Sequence, residues 1–369
     1  MNLILGGGTG LIGRALTAAF QSAGHNVRIV TRNPKSKSEI SWTEVRSCGL
    51  PENTDVVINL SGRSIGEINP LYWFSGPFDE YWKDVFASRI DTTKSLVKAC
   101  EKLKLKFFIN ASAVGFYRPD IRTTFTESEP FCDCGPITRL VRDWEAAAQI
   151  PDRKDVRQFQ LRLGVVLAKD SNFIKSLYPS HRVGLGGALG SGQQWISWVH
   201  LDDVVRVVQF LIQPDCPVVS GPVNVTAPHA VRQAALSRCL SEAIGAPCLP
   251  FGAPPTPSFV PRLLLGPYRA TLVLDGQRYL AMVCSTRFEL AMLSSLRLAS
   301  RHCIFETEAR VRRSRCRNWR RKDPQTERVA STRKQNGHLT GNARITLISI
   351  PSFQMNQQHF TMNLPSKAR

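Results

Sequence analysis

Four glycines near the start of the chain have the spacing of a phosphate-binding turn. Gly7, Gly8, Gly10 and Gly13 follow the apolar run of residues 3–5 and open an amphipathic stretch. Glycines at this spacing let the backbone approach a pyrophosphate, and the helix behind them presents unpaired N–H groups and a positive dipole end. The sequence therefore predicts a strand, turn and helix that bind a dinucleotide. A glycine turn without a ligand is the alternative.

The residues after the next apolar run, 27–30, select between the two nicotinamide cofactors. A carboxylate at this place binds the ribose 2′-hydroxyl of NAD, whereas a basic residue favours the 2′-phosphate of NADP. Here Thr31 and Arg32 follow the run, two lysines come next, and the first carboxylate is Glu39. An arginine suits a phosphate, so we expect NADP(H) rather than NAD(H). A solvated basic loop is the alternative.

Alternating strands and helices must position these residues. Strands are predicted at 3–5, 27–30, 55–60, 107–112, 159–167 and 222–225, and helices at 11–23, 82–100, 138–149 and 199–211. This alternation predicts an α/β fold, a Rossmann-like doubly wound parallel sheet with its ligand at the carboxyl ends of the strands. Asp202 is expected to cap the helix near residue 200, with His200 as a structural hydrogen-bonding group rather than a metal ligand.

The chain divides into three predicted parts. Its 369 residues are 43% hydrophobic, which supplies a sizeable core. We predict an NAD(P)-binding Rossmann-like domain over 1–227, a small C-terminal α/β lobe over 228–284 and a divergent basic tail over 285–369. Helical pieces are expected near 231–245 and 258–265. A substrate would bind between the first domain and the lobe.

Positive charge is concentrated in the tail. The net charge is +19, and residues 301–369 carry 15 lysines and arginines against 4 acidic residues. A disordered basic extension is the favoured interpretation. Binding of nucleic acid through the tail is the alternative, and it would be salt-sensitive.

The cysteines and the start of the chain indicate a compartment. The chain has ten cysteines, and the one close pair, Cys132 and Cys134, lacks the histidines of a zinc site. Free thiols in a reducing environment are expected, with no metal. No apolar window is long enough to span a membrane, and the first strand leaves no room for a leader before it. We expect a cytoplasmic protein; a mitochondrial or other organellar location stays open.

Several segments together resemble one known family. They are residues 7–13, 30–32, 59–62, 88–89, 111–117, 144–145, 161–167 and, the longest, 184–203. The chain resembles the epimerase family of the extended, atypical short-chain dehydrogenase/reductase superfamily, in its nucleotide-sugar-epimerase-like branch of the 39U type. The resemblance covers about residues 1–280, where 276–278 still fit the small lobe. The lobe is expected to be incomplete because the likeness ends there.

The glycine motif and the resemblance together imply a set of cofactor-binding residues. They are Gly7, Gly8, Thr9, Gly10, Leu11, Ile12, Gly13, Thr31, Arg32, Leu60, Ser61, Gly62 and Arg162.

Short-chain reductases use a Tyr-x-x-x-Lys pair for proton transfer. None of the six tyrosines is followed by lysine four residues later. On the helix that would carry the pair, Val141 and Glu145 stand in its place. The usual pair is therefore absent from this sequence.

Two other residues are candidates for catalysis. Ser112 matches the catalytic serine of the family, and Tyr117 is the nearest phenol that could act as the acid, with Arg142 or Arg162 lowering its pKa. Each has a structural alternative, because Ser112 could cap the strand end and the Tyr117 ring could line the cleft.

Three functions remain open. The first is an NADP(H)-dependent oxidoreductase or epimerase acting on a small carbonyl or sugar-like compound. The second is a catalytically silent NADP(H)-binding sensor or partner-binding protein. The third is a nucleic-acid-associated protein that works through its tail.

Overall fold

The computed structural model describes residues 1–64, 78–120, 122–245 and 282–283. Its strands are β1 (Asn2–Gly6), β2 (Asn26–Thr31), β3 (Glu39–Ser41), β4 (Val56–Asn59), β5 (Phe107–Ala113), β6 (Thr124–Phe125), β7 (Arg157–Leu163), β8 (Val165–Leu167), β9 (Trp195–Ile196), β10 (Trp198–His200), β11 (Gly221–Val225), β12 (Val231–Arg232) and β13 (Met282–Val283). Its helices are α1 (Leu11–Ser22), α2 (Trp42–Cys48), α3 (Phe78–Cys100), α4 (Pro136–Ala147), α5 (Asn172–Arg182), α6 (Leu201–Leu211) and α7 (Gln233–Ile244).

Seven strands form one parallel sheet in the order β11-β7-β5-β4-β1-β2-β3. The chain leaves β1 in one direction through β2 and β3, then returns to build the other half from β4. The order reverses between β1 and β4, and ligands of such sheets bind in the crevice at the carboxyl ends of the strands at this point. The predicted Rossmann-like, doubly wound fold is confirmed.

Both faces of the sheet are covered by amphipathic helices. One face buries Leu5 and Ile58 against Phe20 of α1 and Val208 of α6. The opposite face buries residues of β1, β4 and β5 against α2 and α3; these include Ile4, Val57, Phe108, Val45 and Leu96. Burial on both faces explains why the central strands β1 and β4 and the start of β5 are apolar runs in the sequence.

Glycines and a capping box fix the ends of the first helices. Gly24, with φ of +76°, follows α1 and ends it in the left-handed conformation that glycine tolerates. The helix α2 begins with a capping box, in which Ser41 and Glu44 each bind the other's backbone N–H.

Two details of the predicted elements are wrong. The run of 159–167 is not one strand, because Gly164 interrupts it. A Cβ at Gly164 would lie 2.5 Å from the Ser197 carbonyl oxygen, and after this close approach the chain pairs with β10 as β8. The helix α6 is capped not by Asp202 but by His200, whose Nδ1 accepts the Asp202 N–H at 3.2 Å. That hydrogen bond agrees with the structural role expected of His200.

The edge strand β11 is protected against further pairing. Pro222 has no N–H to donate, and the N–H of Asn224 is bound by Glu127 Oε1 at 3.0 Å. Both features are ways in which sheet edges avoid adding a foreign strand.

The C-terminal predictions fall mostly outside the described residues. The helix α7 agrees with the piece expected near 231–245, and β13 pairs in parallel with β6. The piece at 258–265, the match at 276–278 and the tail at 285–369 lie outside the described part, so the domain boundaries and the tail's proposed role stay predictions. Within the described ranges, no helix combines the length and apolar character of a membrane span.

Candidate functional site

The glycine turn joins β1 to α1 and leaves the start of the helix open. Gly7 has φ of +74°, which favours glycine, and the turn is closed by the Gly10 N–H donating to the Gly7 carbonyl at 3.0 Å. Gly10 is the N-cap residue of α1, and no side chain caps the helix there. The N–H groups of residues 11–13 therefore lack intrahelical acceptors and point out of the helix start. Helix starts of this kind are where proteins commonly bind anions.

Two of the glycines are required by different neighbours, and among the described residues a third faces open space. A Cβ at Gly8 would lie 2.7 Å from the Ile29 side chain, and one at Gly13 would lie 2.4 Å from the Gly7 carbonyl oxygen. These contacts let α1 pack closely on the turn. A Cβ at Gly10, by contrast, would meet the Gly7 carbonyl oxygen at 3.3 Å and no other atom of the described residues within 4 Å. As far as the described ranges go, the space in front of Gly10 is open, as a pyrophosphate would need.

The other residues of the turn belong to its rim. Thr9 is exposed, and its carbonyl accepts a hydrogen bond from Arg14 at 2.9 Å. Leu11 and Ile12 are half-buried at the helix start, where Ile12 packs against the core.

The end of β2 presents a free cation. Thr31 is half-buried and Arg32 is exposed. Among the residues that the structure describes, Arg32 makes no hydrogen bond or ion pair. The carboxylate of Glu39 instead accepts the Lys35 backbone N–H at 2.6 Å. The guanidinium of Arg32 is thus available to an anionic ligand.

The segment after β4 lies against the glycine turn. A Cβ at Gly7 would be 2.8 Å from the Leu60 carbonyl, and the Leu60 N–H donates to the Gly6 carbonyl at 2.9 Å. Ser61 is buried, and its hydroxyl has no partner within the described ranges. Gly62 is exposed and approaches the guanidinium of Arg89. The two loops that flank the crevice are therefore in direct contact.

A buried polar network supports these loops from below. Asn59 Nδ2 donates to both Thr93 Oγ1 and Asn110 Oδ1 at 2.7 Å. Its Oδ1 accepts the Ser61 N–H, and Trp144 donates to Thr93. Sequence reasoning missed Thr93 and Asn110 as parts of the site. The signal was available, because Asn59 and Asn110 are polar residues within two otherwise apolar strand segments that pair in register.

Ser112 and Arg162 are brought together by strand register. They are partners on β5 and β7, and Asn224 of β11 is in turn the partner of Arg162. The Ser112 hydroxyl donates to Glu145 Oε1 at 2.5 Å. Arg162 donates to both oxygens of the same carboxylate, at 2.9 and 3.0 Å. Glu145 of α4, which sequence reasoning did not include in the site, thus holds both predicted residues.

The phenol of Tyr117 extends this network. Its hydroxyl donates to Asn224 Oδ1 at 2.6 Å and accepts from Arg162 Nη1 at 2.9 Å. The residue is 2% exposed and its ring stacks on Phe125. Arg162 also lies over the ring of Phe116, with 3.5 Å to the centroid. The four hydroxyl and charged groups of Ser112, Glu145, Arg162 and Tyr117 form one continuous chain.

Burial controls the protonation of the network. Burial raises the pKa of Tyr117 and outweighs the opposite effect of the neighbouring Arg162. Burial alone would lower the pKa of Arg162, but the hydrogen bonds and charge of Glu145 raise it above its ordinary value. Arg142 pairs with Asp143 and lies over Phe131, so it contributes no contact to Tyr117. The phenol is thus neutral and the guanidinium charged near neutral pH.

No metal centre is formed by the described residues. They contain no group of three or more His, Cys, Asp and Glu side chains arranged to hold an ion. None of the six cysteines in the described part of the chain, at 48, 100, 132, 134, 216 and 239, is joined to another of them by a disulfide.

The fold and the site together define a Rossmann-like nucleotide-binding protein with a glycine turn at the reversal point of its sheet. The model of the NAD dependent epimerase/dehydratase family matches residues 3–225. The chain belongs to this family, which confirms the resemblance seen in the sequence.

Curated relatives support the same assignment. The chain is 35% identical over 281 residues to the mouse epimerase family protein SDR39U1, covering 75% of this chain and 91% of that protein. It is 32% identical over 285 residues to the epimerase family protein SAB0724c of Staphylococcus aureus, covering 75% of this chain and 90% of that protein.

A solved structure is similar over the same span. The crystal structure of human epimerase family protein SDR39U1 with NADPH has 32% identity and a TM-score of 0.69, covering 78% of this chain and 92% of that one. The cofactor in that human structure is the one that the residues after β2 predict for this chain.

Proposed function

We propose that this chain binds NADP(H) and is an oxidoreductase or epimerase of the atypical short-chain dehydrogenase/reductase type. The observation that carries the binding proposal is the uncapped start of α1, where a Cβ at Gly10 would meet only the Gly7 carbonyl oxygen among the described residues. The pyrophosphate oxygens would accept hydrogen bonds from the N–H groups of residues 11–13. The predicted cofactor residues from Gly7 to Gly13 and from Leu60 to Gly62 would line one crevice, because the two loops touch.

The choice of NADP(H) is supported by charge. The exposed Arg32 has no partner in the described part of the chain, whereas Glu39 is engaged by a backbone N–H. A 2′-phosphate would bind the Arg32 guanidinium in a charge-assisted hydrogen bond, with Thr31 beside it. The NADPH of the human relative supports the same choice.

The substrate would be a small carbonyl or sugar-like compound. A bound nicotinamide cofactor accepts or donates a hydride, and a side chain of the protein must then remove a proton from the substrate oxygen or donate one to it. Ser112 at the end of β5 is the candidate that would hold this oxygen. Tyr117 is the candidate acid, since its phenol keeps its proton near neutral pH. Glu145 and Arg162 would act as positioning residues.

A catalytically silent NADP(H)-binding protein is the second candidate function. One observation favours it: both candidate hydroxyls already donate their protons in hydrogen bonds to other side chains of the protein. Ser112 donates to Glu145 and Tyr117 donates to Asn224. Catalysis would require a substrate to displace at least one of these acceptors.

Titration calorimetry of the full chain with NADPH and NADH tests the binding proposal. We expect tighter binding of NADPH, and absence of heat with both cofactors from folded protein contradicts it. Consumption of NADPH with a panel of aldehydes, ketones and nucleotide sugars then separates the two candidates. Turnover that is lost in Ser112→Ala or Tyr117→Phe, with NADPH affinity retained, supports the enzyme. Binding without turnover across the panel supports the silent protein.

A further inference from the structure

Two thiols lie side by side in the loop that leads into α4. The sulfur atoms of Cys132 and Cys134 are 3.4 Å apart, and both residues are half-buried. The pair belongs to no metal cluster within the described ranges, and neither proposed function uses it. A disulfide bond is about 2.05 Å long, so side-chain rotation that closes a gap of little more than one ångström would join the two sulfurs.

We propose that Cys132 and Cys134 form a reversible oxidation site that closes to a disulfide on reaction with a peroxide. In the structure, the Cys134 thiol donates to the sulfur of Cys132. This direction assigns different roles to the two residues. Cys132 presents its lone pair and is the attacking sulfur, whereas Cys134 remains a thiol until it resolves the product.

The pKa of Cys134 agrees with this order of reaction. Burial, together with the hydrogen bond to Cys132, raises the pKa of Cys134 to about 11. A thiol with so high a pKa has little thiolate near neutral pH and is a slow first nucleophile.

The chemistry balances with a peroxide as the oxidant. The Cys132 thiolate attacks one peroxide oxygen, the O–O bond breaks, and one water leaves after protonation, so that Cys132 becomes a sulfenic acid. The Cys134 sulfur then attacks the Cys132 sulfur, the S–O bond breaks and a second water leaves. The two thiols lose two electrons and two protons in total, and hydrogen peroxide is reduced to two waters.

The loop contacts residues through which disulfide formation would affect the candidate functional site. The Cys134 N–H binds Thr138 Oγ1 at 3.0 Å, and Gly135, with φ of +132°, is the N-cap residue of α4. Phe131 contacts the ring of Phe116, over which the Arg162 guanidinium lies. A change in loop conformation therefore reaches both the start of α4 and the Arg162 network. The proposal does not depend on whether the chain binds a dinucleotide.

Peptide mass spectrometry tests the site directly. Trypsin releases residues 123–139, which contain Cys132 and Cys134 and no other cysteine. The reduced full chain is treated with hydrogen peroxide, alkylated and digested, and the exposed Cys48 serves as the single-thiol control. We expect this peptide to lose two hydrogen atoms, to escape alkylation and to return to the dithiol form with dithiothreitol.

Two variants test the assigned roles. In Cys134→Ser we expect a persistent Cys132 sulfenic acid that dimedone captures. In Cys132→Ser we expect Cys134 to stay reduced at the same dose. The proposal is overturned if both thiols are alkylated at a dose that oxidises Cys48, if either pairs with a different cysteine, or if Cys132→Ser reacts as fast as the unmodified sequence.

Discussion

Arg162 and Glu145 form a buried, bidentate ion pair in which Nε and Nη2 of the arginine donate to the two carboxylate oxygens at 2.9 and 3.0 Å. Only 4% of the Arg162 side chain and 13% of the Glu145 side chain are exposed. Buried charges are tolerated when they are paired and fully hydrogen-bonded. Here the third nitrogen of the Arg162 guanidinium, Nη1, donates to the Tyr117 hydroxyl, and the carboxylate also accepts from Ser112. The pair therefore fixes both candidate catalytic hydroxyls.

Removing one partner of this ion pair should strongly lower the stability of the fold. We expect Glu145→Ala to lower the free energy of unfolding by about 3–5 kcal/mol, because it leaves a buried guanidinium unpaired. Urea denaturation measures the loss. The matched control is Asp143→Ala, which breaks the exposed pair with Arg142 on the same helix and should cost no more than about 1 kcal/mol. Equal losses in the two variants would mean that the buried pair is not structural.

The sequence was sufficient to predict the sheet and the glycine turn, because both depend on local patterns. Apolar runs mark strands that are buried on both faces, and glycine spacing reports close approaches such as that of Gly13 to the Gly7 carbonyl. Errors arose where distant residues decide the outcome. Gly164 interrupts the predicted strand 159–167 because the Ser197 carbonyl lies beside it. The glycine is a local sign of a close backbone approach, but the approaching Ser197 belongs to a distant segment.

The polar part of the site was predicted only in pieces for the same reason. Ser112, Tyr117 and Arg162 were identifiable as single residues, but their partners Glu145 and Asn224 lie on other elements. A carboxylate on an amphipathic helix, such as Glu145 on α4, ordinarily indicates a solvated position. Strand register and helix packing turn it inward, and these depend on the whole sheet.

Arg32→Ala should change cofactor preference rather than abolish binding. The variant loses the charge-assisted hydrogen bond to a 2′-phosphate, worth about 1.5–3 kcal/mol, so we expect NADPH affinity to fall about tenfold to a hundredfold. NADH affinity should change little. Titration calorimetry with both cofactors gives the comparison, and Arg46→Ala, which removes an exposed cation from α2, controls for net charge. Equal losses for NADPH and NADH from Arg32→Ala would show that Arg32 does not select the phosphate.

Gly10→Val and Gly13→Ala should separate binding from folding. Among the described residues, a Cβ at Gly10 meets only the Gly7 carbonyl oxygen, at 3.3 Å, but a valine side chain would fill the space proposed for the pyrophosphate. We expect a folded protein that binds neither NADPH nor NADH. At Gly13 a Cβ would lie 2.4 Å from the same oxygen, so overpacking should destabilise the fold by about 1–3 kcal/mol.

Calorimetry and thermal unfolding distinguish the two glycine variants. Retained cofactor affinity in folded Gly10→Val would show that the turn does not contact the phosphates. Unchanged unfolding of Gly13→Ala would show instead that the helix can move away from the turn.

Tyr117 should give the protein a specific loss of stability in alkali. Because burial raises its pKa in the folded state, the unfolded chain, with a tyrosine pKa of about 10, ionises first as the pH rises. The stabilisation is therefore complete below about pH 10 and is lost as the pH climbs from there through the folded pKa. At pH 8 we expect Tyr117→Phe to be less stable by about 1–3 kcal/mol, since Asn224 and Arg162 each lose a buried partner. Denaturation in urea at pH 8 and at about pH 11 should show the gap between the two proteins narrowing, because only the protein with the phenol loses this stabilisation. A gap that stays constant or widens would mean that the phenol titrates normally and is not held in the network.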